Sequence, residues 1–234
     1  MPESVRFAFD LDGTVTREEI LPAIAREAGL FAEMDRLTRL TLDGALGFDT
    51  SFRKRFDLLR HVPLPVVQRV TASIPLDPHI TAFIAENKDA CAIVTGNLDC
   101  WIAPLAATLG CSIHCSRSSR AGGELTLASV LDKGAVVAAM QAGGRRVVAI
   151  GDAANDIPML LAADFGIAFG GAREPAPGLL AVADRAERDG AALCRFLREI
   201  RDIGREIRDT GGQTPSSYYS FFRRQTALFL PPDQ

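Results

Sequence analysis

No apolar run in this sequence approaches the roughly 20 residues that a membrane-spanning helix needs, so no membrane partner is expected. Met1-Pro2-Glu3-Ser4 carries neither the basic nor the apolar stretch of a secretion signal, which makes a cytoplasmic location the expectation. Dense positive charge is also missing. The net charge is −3 and only Arg53-Lys54-Arg55 is markedly basic, so nucleic acid is not an expected partner. The five cysteines are an odd number, and in a chain of this character they read as reduced thiols. Cys111-x-x-His114-Cys115 matches no usual zinc spacing and has no second ligand pair, so it reads as core or surface. There are no internal repeats and no low-complexity tracts.

What is present is a rhythm of short apolar runs, each ending in small or polar residues. Val5–Phe9 leads into Asp10-Leu11-Asp12-Gly13-Thr14, and Ala90–Val94 leads into Thr95-Gly96-Asn97. Arg146–Ile150 leads into Gly151-Asp152-Ala153-Ala154-Asn155-Asp156, and Phe165–Phe169 leads into Gly170-Gly171. Helical patterns lie between them at Ile80–Asn87, Trp101–Leu109, Lys133–Ala142 and Ile157–Ala163. Strands alternating with helices predict an α/β fold with a parallel, Rossmann-like sheet, whose carboxyl strand ends form the ligand crevice. The four polar turns follow strands and therefore converge on one edge. Residues 16–78 break the rhythm, with no convincing strand and several helical stretches. This divides the 234 residues into a core at 1–15 and 79–205, a helical insert at 16–78 that can cover the crevice, and an aromatic extension at 206–234.

The chemistry concentrates at the predicted strand ends. Asp10 and Asp12 leave the first strand together where Gly13 lets the chain turn. One carboxylate can attack an electrophile while the other moves protons, and a cation between them offsets their repulsion. A bland acidic turn is the alternative reading. Thr95 and the N–H groups around Gly96 are neutral donors of the kind that hold phosphate oxygens. Lys133 can neutralise developing negative charge, or stand as an ordinary surface lysine. Asp152, Asn155 and Asp156 offer hard oxygen ligands suited to Mg²⁺, or cap the following helix.

In that order, these residues resemble the four motifs of haloacid dehalogenase-type phosphatases over about residues 5–200. Gly-Asp-Ala-Ala-Asn-Asp-Ile-Pro-Met-Leu at 151–160 is the most specific of them. The resemblance implies that Asp10 is the nucleophile forming an aspartyl-phosphate and Asp12 the general acid/base. It implies Mg²⁺ bound by Asp10, the Asp12 carbonyl and Asp152. Thr95, Gly96 and Lys133 would hold the phosphoryl group, with Asn155 and Asp156 supporting the metal and phosphate. An acid at position 12 fits phosphate release by water. The insert is similar to the helical, C1-type cap of the phosphoserine phosphatase subgroup, through Glu19–Gly29 and Phe48–Arg55. There the matching Glu meets the substrate amino group and the matching Arg its carboxylate, roles that fall on Glu19 and Arg55, with Phe48 beside them in the substrate pocket.

Helical spacing supports Arg55 separately. Phe48, Phe52, Phe56 and Leu59 form one apolar stripe, Arg55 lies beside it, and Arg53 and Lys54 point elsewhere. Thr16-x-x-Glu19 also fits a helix capping box, although Pro22 would then sit inside that helix. The sequence departs from the subgroup twice. Thr95-Gly96-Asn97 replaces the usual Ser-Gly-Gly, which places an amide near the substrate, and the tail carries Tyr218, Tyr219, Phe221, Phe222 and Phe229. The expectation is a Mg²⁺-dependent phosphomonoesterase, monomeric or homodimeric, acting on O-phosphoserine or a related small phosphorylated metabolite. A phosphatase or phosphotransferase acting on another small biosynthetic phosphate ester, and a non-catalytic phosphate-binding regulator, are the alternatives.

Overall fold

The computed structural model describes residues 5–42 and 46–209, the side chains of residues 41, 42, 48 and 204–209 excepted. The elements in chain order begin with β1 (Val5–Phe9), α1 (Ile20–Glu27), α2 (Phe31–Leu42), α3 (Phe48–Leu59), α4 (Leu64–Ser73) and α5 (Pro78–Glu86). There follow β2 (Cys91–Leu98), α6 (Asp99–Leu109), β3 (Ser112–Ala121), β4 (Glu124–Ser129), α7 (Lys133–Met140) and β5 (Arg146–Gly151). The last are α8 (Ile157–Ala162), β6 (Phe165–Phe169), α9 (Pro177–Leu180), β7 (Arg185–Glu187) and α10 (Gly190–Asp209).

Among the described residues, seven strands form one sheet in the order β4-β3-β2-β1-β5-β6-β7. All pairs are parallel except the β3–β4 hairpin at one edge. β1 lies centrally because its residues are apolar on both faces. Phe7 and Phe9 pack against Phe83 of α5, with ring centroids 5.1 and 6.2 Å apart. Ala8 faces the opposite core with Val147, Ala149 and Val137. The strands that flank β1 are reached by connections running in opposite directions, so the topological switch point falls beside β1, at the carboxyl ends where ligands of such sheets bind.

Helices α1–α4 leave the sheet after β1 and return before α5. Thr16 bridges Leu76, Arg17 N donates to the Pro75 carbonyl and Asp77 N to the Val15 carbonyl, so both connections pass side by side. Thr16 and Glu19 do not form the capping box that their spacing allows. The Thr16 hydroxyl donates instead to the carbonyls of Leu11 and Glu18, and α1 starts at Ile20. Pro22 then falls in the first turn of α1, where its missing N–H costs nothing.

The structure departs from the sequence reading in one predicted turn, an unpredicted hairpin, an unpredicted short strand and one boundary. Thr95-Gly96-Asn97 is not a turn after the strand. β2 continues to Leu98, and its register against β3 shifts between Thr95 and Leu98. The strand persists because Leu98 still pairs with Ser116, and the Ser116 hydroxyl donates to the Gly96 carbonyl at 2.7 Å. The hairpin β3–β4 was not expected at all, because its residues are mostly polar and half-exposed, without the apolar run of a buried strand. Its one legible signal is Gly122-Gly123, both at positive φ in the tight turn. The three-residue β7 was also missed, being too short to leave a pattern. The expected boundary of the aromatic extension at 206 falls within α10, and the aromatics from Tyr218 to Phe229 lie outside the described residues.

Candidate active site

β1 delivers Asp10 directly to the switch point. Its backbone N–H extends the sheet ladder to the Ile150 carbonyl at 2.8 Å, and its side chain is buried. The chain then turns through Gly13, at φ +73°, where a Cβ would lie 2.3 Å from Asp152 Oδ2. Glycine is required there both for the left-handed backbone and for the approach of the neighbouring loop. That turn brings Asp12 back over the strand end. Its Oδ1 accepts from the Ile20 N–H at 2.7 Å, and its Oδ2 accepts from the Asn97 amide. Burial, reinforced by the Glu19 carboxylate, pushes the Asp12 carboxyl up to about 7 despite those donors.

Lys133 is the first residue of α7, held there by the Asp132 side chain, which accepts from the Ala135 N–H at 3.0 Å. Its ammonium donates to Asp10 Oδ1 and, at 2.5 Å, to Asp156 Oδ1. Burial alone would lower its pKa, but the two carboxylates raise it above the ordinary lysine value, so it stays charged. The other oxygen of Asp156 accepts from the N–H groups of Asp152 and Ala153, at 3.1 and 3.0 Å, which ties the loop after β5 into a closed turn. Both oxygens of Asp156 are thus engaged.

Ligand oxygens of Asp10, Asp152 and Asp156 lie within 4.8 Å of one another in buried surroundings. Burial, and then the neighbouring carboxylates, raise the pKa of Asp10 well above the usual range. Asp152 is raised to about 7 by burial, against the pull of Arg173. Asp152 Oδ1 is buried with no hydrogen-bond partner. Three crowded carboxylates and one orphaned hard oxygen are the donor set that a small divalent cation satisfies.

Thr95 is buried on β2 with its hydroxyl accepting from both nitrogens of Asn97 at 3.1 Å, which leaves its proton free to donate. Asp10, Asp12, Glu19, Arg55, Thr95, Gly96, Asn97, Asp152 and Asn155 all line one cavity of about 510 Å³ between the sheet edge and the helices α1–α3. Lys133 and Asp156 are buried, with Lys133 joined to Asp10 of the lining. On α3 the stripe Phe52, Phe56 and Leu59 is buried, Arg53 and Lys54 are exposed, and Arg55 is half-buried with its Nε unpartnered. The side chain of Phe48 lies outside the described residues.

The charged pocket residue that escaped sequence reasoning is Arg173. Arg173, in the loop after β6, donates through Nε to Asp152 Oδ2 at 3.0 Å and pairs through Nη2 with Glu19 Oε1 at 2.6 Å. Only the Gly170-Gly171 pair preceding it hinted that this loop belongs to the site.

Comparison with known proteins agrees with this architecture. The profile of the family described as haloacid dehalogenase-like hydrolase matches residues 7–161. Similar proteins include the phosphoserine phosphatase of Methanocaldococcus jannaschii, 28% identical over 216 residues, which are 86% of this chain and 96% of the relative. That of Halobacterium salinarum is 31% identical over 205 residues, 81% of this chain and 95% of the relative. Among solved structures, a phospho-aspartyl intermediate analogue of phosphoserine phosphatase superposes with a TM-score of 0.70 at 27% identity, covering 84% of this chain and 99% of that one. A substrate-bound phosphoserine phosphatase complex gives the same values. The chain belongs to the haloacid dehalogenase-like hydrolase family. Within that family its resemblance is to phosphoserine phosphatases, and its activity is that of a phosphoric monoester hydrolase. Among the described residues, no helix is long and apolar enough to cross a membrane.

Proposed function

We propose that the protein hydrolyses O-phosphoserine or a closely related small phosphorylated amino compound through an aspartyl-phosphate on Asp10. The supporting observation is the paired placement of Asp10 and Asp12. Asp10 lies at the strand end in contact with a charged lysine, and Asp12 beside it has a pKa close to neutrality.

In the first half-reaction an Asp10 oxygen attacks phosphorus. A P–O bond to Asp10 forms as the P–O bond to the substrate alcohol breaks, and protonated Asp12 gives its proton to the departing oxygen. In the second, ionised Asp12 takes a proton from water, whose oxygen attacks phosphorus and releases Asp10 and inorganic phosphate. The role of Asp12 suits its surroundings, since an acid/base works best with a pKa near the operating pH. Lys133, the Thr95 hydroxyl and the N–H groups near Gly96 hold the phosphoryl oxygens, with Asn155 at the rim of the pocket. Asp10, Asp152 through its orphaned Oδ1 and the Asp12 carbonyl would hold Mg²⁺, with Asp156 fixing the loop. When bound, the ion supplies positive charge against the crowded carboxylates and the phosphoryl oxygens.

Helices α1–α4 act as the cap that excludes water and selects substrate. Arg55, whose Nε has no hydrogen-bond partner, answers a substrate carboxylate, and Glu19 lines the same pocket. The test is a panel of phosphate esters assayed with Mg²⁺. The reading expects O-phosphoserine to lead O-phosphoethanolamine, which lacks the carboxylate. Preference for a carboxylate-free ester removes the substrate assignment.

A further inference from the structure

Glu19 does not meet substrate as a fully free carboxylate, because Arg173 already pairs with its Oε1. The guanidinium lies 2.6 Å from Glu19 Oε1, and its Nε and Nη2 lie 3.0 and 2.9 Å from Asp152 Oδ2. The Nε hydrogen bond and the Nη2 ion-pair contact to one buried oxygen anchor the guanidinium, so the contact to Glu19 needs little further ordering of the side chain. The loop that carries it is tethered independently, with the Ala176 N–H donating to the Asp152 carbonyl at 2.9 Å. Asp152 keeps its Oδ1 clear of Arg173, so the arrangement does not depend on that oxygen being empty.

The charges around the pocket then sort into sets. Lys133 answers Asp10 and Asp156, and Arg173 answers Asp152 and Glu19. Arg55 lines the same cavity within electrostatic reach of Glu19 and Asp12, yet its buried Nε has no hydrogen-bond partner. A guanidinium with an open donor draws a substrate carboxylate. A carboxylate already ion-paired offers an ammonium much less than a free one does.

We propose that Arg173 is a specificity-determining residue that satisfies Glu19 in place of a substrate amino group. The substrate class is then small phosphorylated carboxylates with or without an α-amino group. This rests on the proposed reading that the substrate carries a carboxylate for Arg55.

The test compares kcat/KM for O-phospho-L-serine, for 3-phosphonooxypropanoate (the same molecule without its amino group) and for O-phosphoethanolamine. One charge-assisted hydrogen bond is worth about tenfold or more in binding, which sets the scale. In the wild-type enzyme the first two substrates should differ by less than about tenfold, while O-phosphoethanolamine falls well behind both. Arg173→Met should raise the preference for O-phospho-L-serine over the des-amino ester at least about fivefold, and Arg173→Lys should hold it near the wild-type ratio. Any loss of turnover through Asp152 falls on both esters and cancels in that ratio.

Glu19→Gln serves as a second variant, and it should change the two esters alike. A wild-type preference of about tenfold or more for the amino compound overturns the proposal. So does an unchanged ratio in Arg173→Met, or a loss in Glu19→Gln confined to O-phospho-L-serine. If O-phosphoethanolamine outpaces both carboxylates in the wild-type enzyme, the carboxylate-bearing substrate itself is wrong, and the proposal falls with it. That outcome is distinct, because it turns on the carboxylate-free ester and not on the ratio of the two carboxylates.

Discussion

The backbone N–H of Ile20 donates to Asp12 Oδ1 at 2.7 Å, so the first turn of the helical segment is bonded directly to a carboxylate at the sheet edge. The orientation of Asp12 therefore depends on where α1 begins, and the start of α1 is coupled to the chemistry. Oδ1 is held by the main chain and Oδ2 faces the pocket, with the Asn97 amide against it.

Asp12→Asn keeps the acceptor for Ile20 but removes the exchangeable proton. Hydrolysis of an alkyl phosphate should fall by about a hundred- to ten-thousand-fold, the usual contribution of a general acid/base. A phosphate ester of nitrophenol, whose leaving group needs no proton, should lose much less in the phosphorylation step. Pre-steady-state bursts with the two esters separate the cases, and equal losses would rule out the acid role.

Asp10→Asn should abolish turnover, because an amide cannot serve as the attacking carboxylate. The substitution is nearly isosteric and removes one of the carboxylates crowding the site, so the fold should persist. Circular dichroism alongside a turnover assay checks both halves. Sustained turnover at a tenth or more of the wild-type rate would refute covalent catalysis by Asp10.

Without added metal, stability should fall as pH rises from about 4 toward 7. Burial and like charge raise the folded pKa of Asp10, Asp12 and Asp152, the last two to about 7. Between the unfolded and folded values the native state binds more protons than the unfolded chain. Their contribution is therefore fully present below about pH 4 and is lost as pH climbs through the folded pKa. Mg²⁺ competes with those protons, so the gain in Tm on adding Mg²⁺ over chelator should be larger at pH 8 than at pH 5.5. Equal gains at both pH values would detach the metal from these carboxylates.

Gly13→Ala places a Cβ 2.3 Å from Asp152 Oδ2 on a backbone at φ +73°. The strain alone costs about 1–3 kcal/mol, and relief requires moving Asp152 out of the carboxylate cluster. Thermal melts should show a lower Tm, and calorimetric titration should show weaker Mg²⁺ binding. A variant with wild-type values in both would mean that the turn relaxes without disturbing Asp152.

Most of the sheet was legible in the sequence, and so was the gathering of Asp10, Asp12, Lys133 and Asp152 at its edge. Phe7 and Phe9 alternate with Ala8 on a strand buried on both faces, and such runs are long enough and apolar enough to be read in isolation. Asp10, Asp12, Lys133 and Asp152 were legible because each follows or opens an element whose pattern fixes its place. Arg55 was legible because helical spacing sets it beside the stripe Phe52–Phe56–Leu59. Tertiary structure decided what depends on pairing and contact. The β3–β4 hairpin exists because a polar chain finds an edge to bond to, and Thr95–Asn97 stays in the strand because β3 runs alongside it. The choice between a capping box and a pocket residue at Glu19 was likewise open in the sequence. The capping box gave way because the Thr16 hydroxyl turns to the Leu11 and Glu18 carbonyls, and Arg173, more than 150 residues away, reaches Glu19 from the loop after β6 beside Asp152. Local periodicity carries no information about such a contact, since an ion pair is made by whichever charges the fold brings within reach.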